Sequence, residues 1–260
     1  MTSLKGKVCL ITGASRGIGA ATAIRFASLG AKLALTDRDF AALKKTKQLC
    51  VVKGLAENEV FLSVGDLAVD ADLKRVFNEC TSYYNGTLDV LVNNAGIYVT
   101  GSVLNTSIET FDKIMNTNTR PVFYLTHLAA PFLIETKGVI VNVSSLAGLR
   151  SSPEVNAYSM SKAAIEQFTC CTALDLASNG VRCNAVSPGS IKTDAHNREG
   201  LMDDEALAAY FEKRSTLHPL GRVGETHDVT NAIVFLVSDD SSFMTGVTMF
   251  VDGGRCVTTR

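Results

Sequence analysis

Neither sign of charge prevails in this 260-residue chain, where 25 Lys and Arg face 26 Asp and Glu and leave a net charge of −1. Such a balance supplies no basic field, so neither nucleic acid nor an anionic membrane surface is expected as a partner. Long hydrophobic runs are missing as well; none reaches the roughly 18 apolar residues that a bilayer span takes. The 7 cysteines are odd in number and form no CxxC pair, which argues against a disulfide framework. Cys9 and Cys183 sit in apolar, strand-like runs, where a thiol is a small hydrophobe. The 4 histidines show no HExxH or other ligand spacing, so no metal is expected. The opening MTSLKGKVCLITG has no signal-peptide or myristoylation pattern, and the closing VTTR is no peroxisomal tag. A reduced, cytoplasmic setting is the expectation.

What is present is apolar and periodic. Hydrophobic residues make up 46% of the chain and mean hydropathy is +0.17, enough for a large core. Short apolar runs at 7–11, 32–36, 59–64, 88–93, 138–144, 181–186 and 248–252 read as strands. Helical patterns at 17–29, 39–53, 70–84, 107–134, 157–178, 203–213 and 226–238 separate nearly all of them. Gly30 and Gly180 read as helix stops, and Thr106 with Glu109 as a capping box. Strands that are apolar throughout, alternating with helices, call for a parallel sheet covered on both faces. No linker, repeat or low-complexity segment interrupts the pattern. The expected fold is α/β: a single doubly wound, Rossmann-type domain over 1–260 with about seven strands. Its cofactor half would run over about 1–135 and its catalytic and substrate half over about 136–260.

In such sheets, ligands bind beyond the carboxyl ends of the strands, and that edge collects the polar oddities of this sequence. After the first strand comes Thr12-Gly13-Ala14-Ser15-Arg16-Gly17-Ile18-Gly19, a glycine-rich loop opening a helix. Such a loop lets backbone N–H groups and a helix N-terminus approach a pyrophosphate. Its GxxxGxG spacing differs from the common GxGxxG. Asp37 ends the second strand, 18 residues after Gly19, near the offset of about 20 for an acid that bonds a ribose 2′-hydroxyl. It could instead cap the next helix, a role open to Asp39. Asn94-Ala95-Gly96, Ser144-Ser145 and Pro188-Gly189 follow later strands; alone, each is an ordinary turn or cap. Tyr158 and Lys162 stand four apart, on one helix face and one turn from each other. The same pair would suit a surface tyrosine under a snorkelling lysine.

Together these segments resemble the short-chain dehydrogenase/reductase family over nearly the whole chain. TGASRGIG matches that family's TGxxxGIG, NNAG its signature after the fourth strand, and YSMSK its YxxxK. Ser145 stands thirteen before Tyr158, the family's serine spacing, and SPGSIKTD and TGVTMFVDGG match too. Aligned on FDKIM, the family's helix asparagine falls on Asn118. Pro121 departs from the small residue expected there; it deprives the Thr117 carbonyl of its helical partner, so a kink is expected.

The resemblance implies hydride transfer between a nicotinamide and a secondary alcohol or ketone, with Asn118, Ser145, Tyr158 and Lys162 as a catalytic tetrad. Gly13, Ser15, Arg16, Gly17, Ile18, Gly19, Asp37, Arg38, Asp66, Leu67, Asn94, Ala95, Gly96, Pro188, Gly189, Ile191 and Thr193 would line the cofactor, together with Tyr158 and Lys162. Lowering a phenol's pKa by three units takes about 4 kcal/mol. An ammonium some 5 Å away supplies about 3 kcal/mol at an effective dielectric near 20. Asp37 favours NAD over NADP, while Arg16 and Arg38 pull the other way by offering partners to a 2′-phosphate. Surplus apolar surface on helices 107–134 and 157–178 points to a homo-oligomer, a tetramer by resemblance. Ile97, Val99, Leu146, Leu149, Val155, Leu201, Met202 and Phe211 give the substrate loops an apolar cast, with no evident Arg or Lys cluster. A neutral, apolar alcohol or ketone is the expected small-molecule substrate. Alternatives are a polyol or sugar, a 3-oxoacyl thioester, and, in another class, a nucleotide-binding regulator without catalysis.

Overall fold

The computed structural model describes residues 3–193 and 203–258. One parallel sheet of seven strands organises them, in the order β3-β2-β1-β4-β5-β6-β7. The strands are β1 (Val8–Thr12), β2 (Lys32–Asp37), β3 (Val60–Val64), β4 (Val90–Asn93), β5 (Val139–Val143), β6 (Arg182–Pro188) and β7 (Thr248–Val251). The helices are α1 (Gly17–Ser28), α2 (Phe40–Val52), α3 (Asp70–Tyr83), α4 (Ile108–Asn118), α5 (Arg120–Thr136), α6 (Asn156–Leu176), α7 (Asp204–Ser215) and α8 (Thr226–Val237).

Alternate residues of each strand feed two cores. Cys9, Ile11, Leu33, Leu35, Val90 and Val92 pack under α1, α2 and α8, with Phe26, Leu43 and Ile233. Val8, Leu10, Leu91, Ile140 and Cys183 face the other way, onto Leu73 and Phe77 of α3, Leu125 and Leu133 of α5, and Ala173 of α6. A polar ladder crosses this interior. Asn93 and Asn142 are register partners on β4 and β5, and Asn93 Nδ2 donates to Asn142 Oδ1 at 2.9 Å. Asn93 Nδ2 also reaches Thr126 Oγ1 at 3.2 Å, and Asn142 Nδ2 donates to Thr169 Oγ1 at 2.9 Å. At the sheet's other end Arg182 donates to the carbonyls of Leu236 and Ser238 at 2.8 and 3.0 Å, closing off the C-terminal end of α8.

Two local expectations change, and one open alternative is decided. The pattern over 107–134 is two helices: α4 ends at Asn118, and α5 begins at Arg120 with Pro121 in its first turn. A proline suits that first turn because no N–H is needed there. The cap of α4 is Ser107, not Thr106; its hydroxyl accepts from the Thr110 amide at 3.2 Å. Asp39 caps α2, accepting from the Ala42 amide at 3.0 Å, which leaves Asp37 out of that role.

Candidate active site

β1 pairs with both β2 and β4, so the chain runs away from it in two directions and a crevice opens beyond its carboxyl end. There the described residues enclose a cleft of about 330 Å³. Its walls bring together Gly13, Arg16, Gly17, Ile18, Asn94, Ala95, Gly96, Ser145, Tyr158, Lys162, Pro188, Gly189, Ile191 and Thr193, all picked out in the sequence. Ser15, Gly19, Asp37, Arg38, Asp66, Leu67 and Asn118 are not among the residues that line it.

The glycine loop is held from below. Asn94 Nδ2 donates to the carbonyls of Thr12 and Gly13 at 2.9 and 3.1 Å, and Thr12 Oγ1 accepts from the amides of Asn94 and Ala95. A Cβ at Gly19 would sit 2.2 Å from the Gly13 carbonyl oxygen, which is impossible without moving the loop. Gly13 adopts a φ of +64°, the left-handed region that favours glycine. These demands leave a bare backbone cradle at the start of α1, suited to a dinucleotide's pyrophosphate. A few residues away Asp37 accepts from Ser15 Oγ at 2.8 Å and from the Arg38 amide at 2.7 Å. Both nearby arginines are engaged: Arg16 with Asp39 at 2.7 Å, Arg38 with Asp66 at 3.3 Å. Asp66 also accepts from the Ala68 amide, and Leu67 is buried in the core beside it.

Beyond β5, Ser145 takes extended backbone geometry and its hydroxyl accepts from the Ala147 amide at 3.2 Å. It also shares a hydrogen bond with the Tyr158 hydroxyl. Tyr158 and Lys162 open α6, and the Lys162 ammonium lies 5.8 Å from the Tyr158 ring centre. Lys162 donates to the Val143 carbonyl at 2.9 Å. Burial pushes the Tyr158 phenol up to about 12, against the partial relief of Ser145. Burial also pulls the Lys162 ammonium down to about 8, with Glu166 working against it. Desolvation is the leading cause of both shifts.

Glu166 escaped the sequence reading. It sits one turn beyond Lys162 and accepts from Ser144 Oγ at 3.0 Å and Ser187 Oγ at 3.3 Å, while burial raises its pKa. The i, i+4, i+8 spacing of Tyr158, Lys162 and Glu166 was the available signal. Asn118, at the break between α4 and α5, accepts from the Ile97 amide at 2.8 Å and donates to the Ile97 carbonyl at 3.0 Å and Ser161 Oγ at 3.1 Å. A Cβ on Gly96 would fall 3.2 Å from Asn118 Oδ1 and 3.7 Å from Lys162 Nζ, so a hydrogen-only residue keeps these groups in one polar corner.

A family model described as enoyl-(acyl carrier protein) reductase matches residues 13–255. A crystal structure of a short-chain dehydrogenase/reductase of unknown function from Caenorhabditis elegans, solved with cofactor, superimposes with a TM-score of 0.92 at 34% identity. It covers 98% of this chain and 97% of its own. The chain belongs to the short-chain dehydrogenase/reductase family. Among the family's curated members, an uncharacterized oxidoreductase of Thermotoga maritima is 38% identical, over 97% of this chain and 98% of that protein. The 3-oxoacyl-[acyl-carrier-protein] reductase of the same organism is 37% identical, over 98% of this chain and 99% of its own length.

In this short-chain dehydrogenase/reductase the walls of the cleft differ from expectation. Of the apolar residues singled out, Ile97, Leu146 and Val155 line the cleft, while Val99, Leu149 and Phe211 do not. Leu149 is 56% exposed and Phe211 is buried elsewhere. Leu201 and Met202 lie outside the described residues. In their place stand Tyr98, Tyr210, Arg150, Arg214 and Arg255. The supposed lack of an arginine cluster is thereby corrected; three residues far apart in sequence converge only on folding. Among the described residues no group of three or more His, Cys, Asp or Glu side chains forms a metal cage, and no helix is long and apolar enough to cross a membrane.

Proposed function

We propose that this oxidoreductase interconverts a secondary alcohol and a ketone, using NAD(H), with Tyr158, Lys162, Ser145 and Asn118 as its proton-handling set. The observation that carries the reading is that Ser145, Tyr158 and Lys162 share one cleft wall with the Gly13–Ile18 cradle. The nicotinamide supplies the hydride or accepts it. Residues of this chain do the rest.

Ser145 holds the substrate oxygen against the Tyr158 hydroxyl, as a donor aimed at developing negative charge. In the ketone-reducing direction Tyr158 gives up its proton as general acid, and a phenol held at about 12 is fully protonated for that task at neutral pH. Phenolate left behind is stabilised by the Lys162 ammonium, which the Val143 carbonyl and Glu166 keep in place. Asn118 fixes the Ile97 backbone beside Lys162 and supports proton return towards solvent. The cofactor half, about 1–135, would bind the dinucleotide, and the remainder would bind substrate.

Asp37 supports NAD over NADP. Its carboxylate is stationed by Ser15 and Arg38, and the two arginines able to receive a 2′-phosphate are already paired with Asp39 and Asp66. Purified protein, offered NADH or NADPH with a panel of ketones, tests the reading through nicotinamide absorbance. Ketone-dependent oxidation that disappears in Tyr158→Phe is expected; no turnover with any ketone or alcohol would point to a cofactor-binding protein without catalysis.

A further inference from the structure

Beyond Tyr158 the cleft is walled by Arg150, Arg214 and Arg255, none of which proton or hydride transfer requires. Arg214, in the last turn of α7, stacks its guanidinium over the Tyr210 ring at 5.1 Å and shares a hydrogen bond with the Tyr98 hydroxyl. Tyr98 in turn meets Tyr158 edge-on, with ring centres 5.0 Å apart. Arg214 thus stands one aromatic ring from the reacting phenol.

The cluster is built on a buried hub. His218 Nε2 accepts from the Ser190 amide at 3.1 Å, so Nδ1 is the donor to the Arg214 carbonyl at 2.9 Å. Arg255 reaches Ser190 Oγ at 3.4 Å, a long contact that leaves most of its five N–H donors unused there. Arg150 donates to the carbonyls of Cys256 and Thr258, fastening the turn that carries Arg255.

Among the described residues these three guanidiniums make no ion pair. Asp252 is close, but its carboxylate accepts from the amides of Gly254 and Cys256 within its own turn. Glu154 is the acid on the cleft wall, and it is exposed. Burial and the charges of Arg214 and Arg150 hold the Arg255 guanidinium below its ordinary value, although Tyr210 and Asp252 oppose them. Like charges held together in a half-buried wall are relieved by an anion, and the planar guanidinium fork fits carboxylate and phosphate oxygens in pairs. The cofactor's own pyrophosphate has its cradle at Gly13–Ile18, so it does not answer to this cluster.

We propose that the alcohol or ketone carries an anionic group, a carboxylate or a phosphate, gripped by Arg214 and Arg255 while its reacting oxygen lies on Tyr158. This rests on the oxidoreductase reading and replaces the apolar substrate expected from the loops.

The test compares matched pairs: acetoacetate against its methyl ester, and dihydroxyacetone phosphate against dihydroxyacetone, in phosphate-free buffer with NADH. The anionic member of at least one pair should have a kcat/KM tenfold or more above its neutral partner; which pair responds separates carboxylate from phosphate. Arg214→Gln and Arg255→Gln should each cut that ratio tenfold or more through KM, with the NADH dissociation constant and Tm showing that the fold survives. Neutral ketones reduced as well as their anionic partners, or a ratio untouched by both substitutions, would overturn the inference while leaving the oxidoreductase reading intact. Should nothing be turned over, calorimetric titration with acetoacetate and with dihydroxyacetone phosphate decides. Saturable binding lost in Arg214→Gln supports the anion site and places the failure in the hydride-transfer reading. Binding of neither anion overturns the site.

Discussion

Exchanging Asp37 for asparagine removes one negative charge at nearly constant shape, and it isolates the choice between the two nicotinamide dinucleotides. A 2′-phosphate carries between one and two negative charges at neutral pH. At about 5 Å and an effective dielectric of 20, repulsion from Asp37 amounts to roughly 3–6 kcal/mol. Asp37 is only half-buried, so solvent screening cuts that to about 2–3 kcal/mol, or roughly a 30- to 150-fold preference for NAD(H). Arg16 and Arg38 are each paired with a carboxylate, at 2.7 and 3.3 Å, in pairs that Asp37 does not share. Those exposed pairs are worth about 1 kcal/mol or less apiece, so turning either arginine to a 2′-phosphate is cheap and narrows the preference towards the lower end of that range. In Asp37→Asn the repulsion is gone, while the pairs of Arg16 with Asp39 and Arg38 with Asp66 are the same as in the wild type. The ratio of kcat/KM for NADH to that for NADPH should therefore fall by at least tenfold. Steady-state kinetics with one ketone and both cofactors measures it. A wild-type preference for NADPH, or a ratio changed by less than threefold in the variant, would refute the assignment of Asp37 to the ribose.

Further outcomes follow from the same geometry. Tyr158→Phe should lower kcat at least 10²-fold, the usual least worth of general acid catalysis, while NADH affinity measured by fluorescence stays within twofold. Ketone reduction should decline as pH rises through about 8, where Lys162 loses the proton that stabilises phenolate. Lys162 is held below the ordinary lysine value, so its charged form exists on the acid side of that limb; a flat kcat profile from pH 7 to about 10 would sink this role. Phe123 on α5 and Leu174 on α6 are 60% and 81% exposed, and a homo-oligomer, tetrameric by family resemblance, should cover them. Light scattering at micromolar concentration should give a multiple of the 27.7 kDa chain mass, and a monomer would end the idea. Arg182→Met would orphan the carbonyls closing α8, costing about 2–4 kcal/mol in urea unfolding; a loss below about 0.5 kcal/mol would contradict the account.

Sequence patterns located the strands to within a residue or two because parallel strands buried on both faces are mostly apolar, as VCLIT and VIVNV are but for Thr12 and Asn142. The cradle and the Tyr158–Lys162 pair were legible for a different reason: their chemistry depends on residues adjacent in the chain or one helical turn apart. The break at Thr119 was half-legible, since Pro121 signals a kink but can equally begin a new helix. Convergence of Arg150, Arg214 and Arg255 was not legible. They come from a loop after β5, the end of α7 and the turn after β7; Ser190 and His218 join Arg214 to Arg255, and Arg150 reaches the same turn through the Cys256 and Thr258 carbonyls. The burial of Tyr158 was not legible either, because spacing reveals a charged neighbour but not how much water folding removes.

The paired amides of Asn93 and Asn142 act as an alignment key for the centre of the sheet. Hydrophobic strands can slide, since one valine packs much like the next, and β4 and β5 are nearly all valine, leucine and isoleucine. A slip by one residue would part the two amides and set Asn93 against Val141 or Val143, stranding it without its partner at a cost of about 1–3 kcal/mol. The residue just after β4 is Asn94, which holds the glycine loop, and the next on β5 is Val143, whose carbonyl holds Lys162. A misaligned pair would carry those two anchors about 3.3 Å apart along the strand direction, farther than a hydrogen bond can stretch. The buried amides thus tie the correctness of folding to the assembly of the cleft: a chain that collapses in the wrong register cannot build a working site.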